Sequence, residues 1–134
     1  MGRRRDVLDG EAGAATTALV LILPVVLLAV MVVVQFALAY HARQVVTAAA
    51  QDAAFAATAS GASPDTATNT AQHVVDSAGS GLVRDVVIQV DGNTDAVRVE
   101  VTATVASVVP GLDLTVSGTS AAPTERFRPE HEGQ

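Results

Sequence analysis

Three patterns of apolar and polar positions follow one another along the chain. From Ala12 to Tyr40 (AGAATTALVLILPVVLLAVMVVVQFALAY) no residue carries a formal charge, and from Ala18 to Val34 every position is apolar. Such a stretch is apolar on every face of a helix, which suits lipid or the interior of a large protein. At ~1.5 Å per residue it reaches ~43 Å, more than the ~30 Å hydrocarbon core of a bilayer. A chain of 134 residues is too small to wrap that helix itself, so the pattern predicts a transmembrane helix over 14–40. Pro24 lacks an amide and crowds the carbonyl of Val20, which predicts a kink in the span.

Past Tyr40 the apolar residues shrink to Ala and share the sequence with Gln and Thr, with no helix breaker before Gly61. Ala is the best helix former, so the same helix is expected to continue over 41–60. Gln44, Thr47, Gln51 and Thr58 form a polar stripe; Val45, Ala49, Ala53 and Ala56 form a small-residue packing face opposite it. Ser63-Pro64-Asp65 reads as a second helix start: a Ser cap, Pro in the first turn and an acid near the positive helix end. Ala67, Ala71, Val74, Val75 and Ala78 give that helix one apolar face, and Gly79-Ser80-Gly81 ends it.

From Gly81 onward the period becomes two. Val86, Ile88 and Val90 mark a first strand, and Val97, Val99, Val101, Ala103 and Val105 a second. DGNTD (91–95) between them has the residues of a hairpin turn. After the Val109-Pro110-Gly111 turn, Leu112, Leu114 and Val116 predict a third strand. The expected fold class is α+β: a long N-terminal transmembrane helix continuing outside the membrane, a short second helix and a three-stranded antiparallel meander. The expected organisation is a basic leader over 1–13, the span over 14–40, its extension over 41–60, a small α+β domain over 61–120 and a mobile tail over 121–134.

Charge adds orientation. Arg3, Arg4, Arg5 and Arg43 face Asp6, Asp9 and Glu11 within residues 1–43, a balance of +1, which leaves −7 of the total −6 to residues 44–134. The Arg cluster before the span predicts a cytoplasmic N-terminus and an extracytoplasmic domain in the cell membrane. An acidic exterior is a poor partner for phosphate backbones, which argues against nucleic acid. With no Cys there is no disulfide, thiolate nucleophile or Cys-ligated zinc. A cleaved signal peptide is the competing reading, with Arg3–Arg5 as its basic start and Ala37-Leu38-Ala39 as an A-x-A site; the apolar stretch is longer than the 7 to 15 residues usual there.

Residues 13–58 resemble the TadE-like family of minor pilins or pseudopilins from tight-adherence pilus systems. The resemblance rests on Gly13, the small residues after it, the early Pro24, Phe36 and Tyr40 near the end of the span, Arg43 and the AAQDAAFAA run. It implies a pilin-like fold, a non-enzymatic role in a pilus or secretion assembly, lipid and other pilus subunits as partners, and leader cleavage at Gly13, with Gly10 second. One position departs from the family: Ala18 stands where members usually carry Glu, five residues after the Gly. A single-span anchored binding module outside any filament is the alternative function.

No catalytic or cofactor motif competes with these readings. Asp91, Asn93 and Asp95 have the 1, 3, 5 spacing of a calcium loop, but Ala96 and Thr102 replace its Gly and its bidentate Glu, which favours a plain turn. His41, His73 and His131 fall on three separate segments without ligand spacing, and Asp85, Glu100 and Asp113 read as solvated strand carboxylates. Neither a small-molecule substrate nor a cofactor is expected. Protease added outside intact cells or spheroplasts should remove the segment after His41; loss of Met1 to Glu11 instead would reverse the orientation.

Overall fold

The computed structural model describes residues 3–59, 63–92 and 96–123, with side chains of the first helix described from Thr16 onward. Helix α1 (Arg3–Thr58) is one continuous element of 56 residues, with Pro24 inside it. At ~1.5 Å per residue it is ~84 Å long. It begins well ahead of residue 14, since residues 3–13 contain no Pro, and isolated Gly lowers helicity without ending it. Gly61, the expected stop, lies outside the described residues. Helix α2 (Pro64–Ala78) starts with Pro at its first turn and closes at Gly79, whose amide donates to the Val75 carbonyl at 2.7 Å.

Strands β1 (Val83–Gly92), β2 (Ala96–Val105) and β3 (Thr115–Pro123) form an antiparallel sheet in the order β1-β2-β3. The chain is therefore α+β, with a long apolar N-terminal helix, a short helix and an open meander. Two strand boundaries differ from the alternation in the sequence. Val83 and Arg84 belong to β1, and a bulge separates them from Val87: Arg84 pairs with Thr104 and Val87 with Thr102. Asp85 takes a positive φ of 52° there. The extra residue resets the alternation, so that Val83 packs against the same core as Val86, Ile88 and Val90.

The third strand is also displaced. Leu112 and Leu114, expected within it, belong to the β2–β3 connection, and β3 instead continues through Ala121, Ala122 and Pro123. Val109-Pro110-Gly111-Leu112 is a turn in which the Leu112 amide donates to the Val109 carbonyl at 3.1 Å and Gly111 has φ 80°. That conformation suits a type II turn, with Pro second and Gly third. Ala121–Pro123, read from the sequence as the start of the tail, pair with Arg98, Val97 and Ala96.

The core lies where the outer part of α1 meets α2 and the sheet. Val46, Ala49, Ala50, Ala53 and Ala54 of α1 join Ala67, Ala71 and Val75 of α2 and Val99, Val101 and Ala103 of β2. Gly118 of β3 makes the closest approach: a Cβ there would stand 2.6 Å from the Thr47 Cα and amide nitrogen and 2.7 Å from the Val46 carbonyl carbon. The strand thus rests on helix backbone, and the obstruction cannot rotate away. Gly118→Ala is expected to overpack this contact and destabilise the full chain by about 3 kcal/mol, the upper part of the usual range. Thermal melts in detergent measure it, with the exposed neighbour Thr119→Ala as a control expected within about 0.5 kcal/mol of the parent; equal melting of Gly118→Ala and the parent would refute the close contact.

Candidate functional site

The candidate functional surface is α1, whose exposure changes along its length. Its most apolar 18-residue window has a mean hydropathy of 3.1 and buries none of its residues. Leu19, Leu21, Leu23, Val25, Leu27 and Val30 are more than half exposed. A soluble protein would hide such a surface. Outside the span, burial is confined to one broad side, comprising Ala42, Val45, Val46, Ala49, Ala50, Ala53 and Ala54.

Of the packing face read from the sequence, Val45, Ala49 and Ala53 are buried and Ala56 is half-buried. The same side also includes Val46, Ala50 and Ala54, which a single stripe omits. The face is wide because two layers share it. The Val45 side chain reaches the C-terminus of α2, where a Cβ on Gly79 would lie 3.2 Å from it, whereas Val46 and Thr47 lie under β3. Thr47, assigned to the polar stripe, is accordingly half-buried, while Gln44 and Gln51 are exposed. The uncovered side carries Tyr40, Gln44, Ala48, Gln51 and Phe55. Gln44 Nε2 donates to Tyr40 Oη at 3.0 Å, and Phe55 is 79% exposed.

Gln35 marks the change of environment. It is fully buried although the residues beside it, Val34 and Phe36, are exposed. Its Nε2 donates to the Ala106 carbonyl at 3.3 Å, and its Oε1 accepts from the Val108 amide at 2.7 Å. A buried amide needs both kinds of partner, and the β2–β3 connection supplies them. The spacing along the two elements agrees. Val101 is the register partner of Gly118, which sits on Val46 and Thr47. Five residues of strand from Val101 to Ala106 cover ~17 Å, as do eleven residues of helix from Val46 back to Gln35. Strand β2 therefore runs along α1 toward the span, and its connection meets the helix at Gln35. Gln35 gave no signal in the sequence beyond being polar in an apolar run. Gly118 did give one, since an isolated Gly in a strand often marks a close backbone approach.

Gly13 and Pro24 both lie within α1. His41 and His73 are exposed on α1 and α2, whereas His131, Asn93 and Asp95 lie outside the described residues. Asp85 sits at the β1 bulge, Glu100 between Gln89 and Thr119 in the sheet, and Asp113 in the β2–β3 connection. Two open depressions of about 500 Å³ occur elsewhere, one beside Asp91 and Arg98 and one beside Asp52 and His73. Among the described residues, no three His, Asp or Glu side chains form a group able to hold a metal ion.

Residues 13–54 match the family model described as TadE-like protein. That segment, about a third of the chain, runs from Gly13 through the exposed span and most of the buried face, and it is the part in which the sequence resembles that family. The match links the chain to tight-adherence pilus assembly, and the bare apolar helix fits a single-pass membrane anchor. No curated protein matches the chain, and no solved structure does.

Because α2 and the sheet cover the Ala face inside the chain, enlarging its floor should be felt without any partner. Ala53→Leu is expected to lower stability by ~1–3 kcal/mol, while Gln51→Leu, on the exposed side, should change it little. Melting of both variants in detergent compares them; unchanged melting of Ala53→Leu would show that the face tolerates a larger side chain.

Proposed function

We propose that the protein is a non-enzymatic, membrane-anchored subunit of minor-pilin or pseudopilin type in a tight-adherence pilus or secretion assembly, working by helix packing. The observation that carries this reading is the division of α1. Its inner part is bare and apolar, and its outer part bears a domain on one side while Tyr40, Gln44, Ala48, Gln51 and Phe55 remain uncovered. A helix built in this way can pack its span and its free outer side against neighbouring helices. The TadE-like match over residues 13–54 supports pilus subunits as those neighbours.

The attraction between spans is van der Waals packing, to which small residues allow close approach. With Ala18 at the usual Glu position, the span offers no carboxylate there to pair with a neighbour's amine. The N-terminus is placed in the cytoplasm and the α+β domain outside the cell membrane, on the Arg asymmetry. Retention of the helix through Tyr40 is supported by Gln35, which precedes the A-x-A site and whose amide holds the β2–β3 connection. Cleavage at Ala39 would remove that side chain from the fold.

N-terminal sequencing of the mature protein distinguishes the fates of the leader: Ala14 is expected after processing at Gly13, Met1 would indicate a permanent anchor, and Tyr40 would refute the retained span. A photo-crosslinking residue in place of Phe55 is expected to yield adducts with pilus-assembly subunits in cells. Absence of such adducts, with the protein present in the membrane, would refute the assembly role.

A further inference from the structure

We infer that the Val108–Leu112 turn is a second membrane contact, which rests in the bilayer interface beside α1 and fixes the height of the α+β domain. The inference rests on the reading of α1 as a membrane anchor and concerns a part of the chain outside the family match. Depth along α1 comes first. A ~30 Å hydrocarbon core takes about 20 helical residues. Counted from Ala12, the first uncharged residue after Glu11, it ends at Met31, and counted from Ala15 it ends at Val34. Gln35 therefore stands at the outer edge of the hydrocarbon, and the connection bound to it stands at the same level.

The connection continues in the direction of the span. Strand β2 runs along α1 from the level of Val46 down to Gln35, and Val109-Pro110-Gly111 follow before the chain turns back. Met31, four residues before Gln35 and on the same side of α1, is half-buried, whereas Val30 and Val33 are exposed. The turn from Val108 to Leu112 carries no charge, with Val108 40% exposed and Pro110 exposed. The next residue, Asp113, is exposed on the returning limb and limits insertion to the tip.

The backbone chemistry suits this position. Irregular backbone near hydrocarbon is tolerated where its polar groups are paired. Here the Val108 amide is bound to Gln35 Oε1 and the Ala106 carbonyl to Gln35 Nε2, and Pro110 has no amide. The Leu112 amide closes the turn on the Val109 carbonyl. Ser107 Oγ lies 2.6 Å from the Val109 carbonyl and 3.0 Å from that of Leu112, so its single proton is also used inside the turn. The loop therefore presents apolar side chains outward and turns these polar groups inward. A bilayer is the occupant that the position specifies, because the bare apolar surface of α1 begins directly beside the turn.

The chain contains no Trp, so a single introduced Trp reports its own surroundings. Full-length Val108→Trp, Leu27→Trp and Val87→Trp are each reconstituted in phosphatidylcholine vesicles, at less than one protein per vesicle, with and without lipids brominated along the acyl chain. Val108→Trp should emit at shorter wavelength than Val87→Trp, which lies on exposed β1, and lose at least half its emission to shallow bromines. Leu27→Trp should be quenched by deep ones. Quenching of Leu27→Trp with none of Val108→Trp would overturn the second contact and leave the anchor intact; no quenching of either would overturn both. A Val108→Cys variant carrying a nitroxide checks that the indole does not itself draw the loop into lipid. Greater accessibility to oxygen than to a polar nickel complex supports the contact, and the reverse order refutes it. A blue shift that appears only at high protein density would assign the turn to a neighbouring copy and refute lipid as its occupant.

Discussion

A single helix whose two halves present opposite surfaces is the constraint on which this molecule depends. Over its inner part every face of α1 is apolar and uncovered, a state stable in lipid and costly in water. Over its outer part only one side is buried, and that side is built from Ala with a few Val. No break in the helix separates the two regimes. The division is made by side-chain size and chemistry alone, and α2 and the sheet cover the apolar side of the outer part.

Small residues make the cover possible. Ala contributes little apolar area per residue, so an Ala face gains stability only if its partners come very close. Gly118 permits this by placing β3 on the helix backbone at Val46 and Thr47, and α2 answers with Ala67 and Ala71. The larger apolar groups come from the sheet, where Val99, Val101 and Val105 are fully buried. The bulge at Asp85 brings Val83 into register with that core. The strain of a non-Gly residue at positive φ, about 1–2 kcal/mol, is offset by keeping both ends of β1 on the same face.

At the boundary between regimes stands an amide rather than a charge. Gln35 is the polar side chain buried among the described residues, and its donor and acceptor are both used by the β2–β3 connection. A charge buried here would need a counter-charge, whereas a primary amide is satisfied by one carbonyl and one backbone amide. The same pair of bonds fixes the domain along the helix axis. Position along a smooth Ala face is otherwise weakly specified, because each step of the stripe resembles the next.

The sequence by itself determined the long apolar helix and its continuity, the second helix and the central strand, because each is written as a local period: apolar at all positions, at one helical side, or at alternate positions. It also carried the resemblance that the family match over residues 13–54 bears out. Half of the packing face was legible for the same reason, in Val45, Ala49 and Ala53. The tertiary structure alone decided the other half, since Val46, Ala50 and Ala54 are buried by a second layer that no single-helix period encodes. It also decided the ends of β1 and β3. A bulge shifts the period at Asp85, and residues as unremarkable as Ala121 and Ala122 become strand when a partner offers free backbone groups. Gln35 is the clearest case: in the sequence it interrupts an apolar run, and its role exists only because a connection more than seventy residues away returns to it. Long-range hydrogen bonds leave no periodic trace, so only the folded chain reveals them.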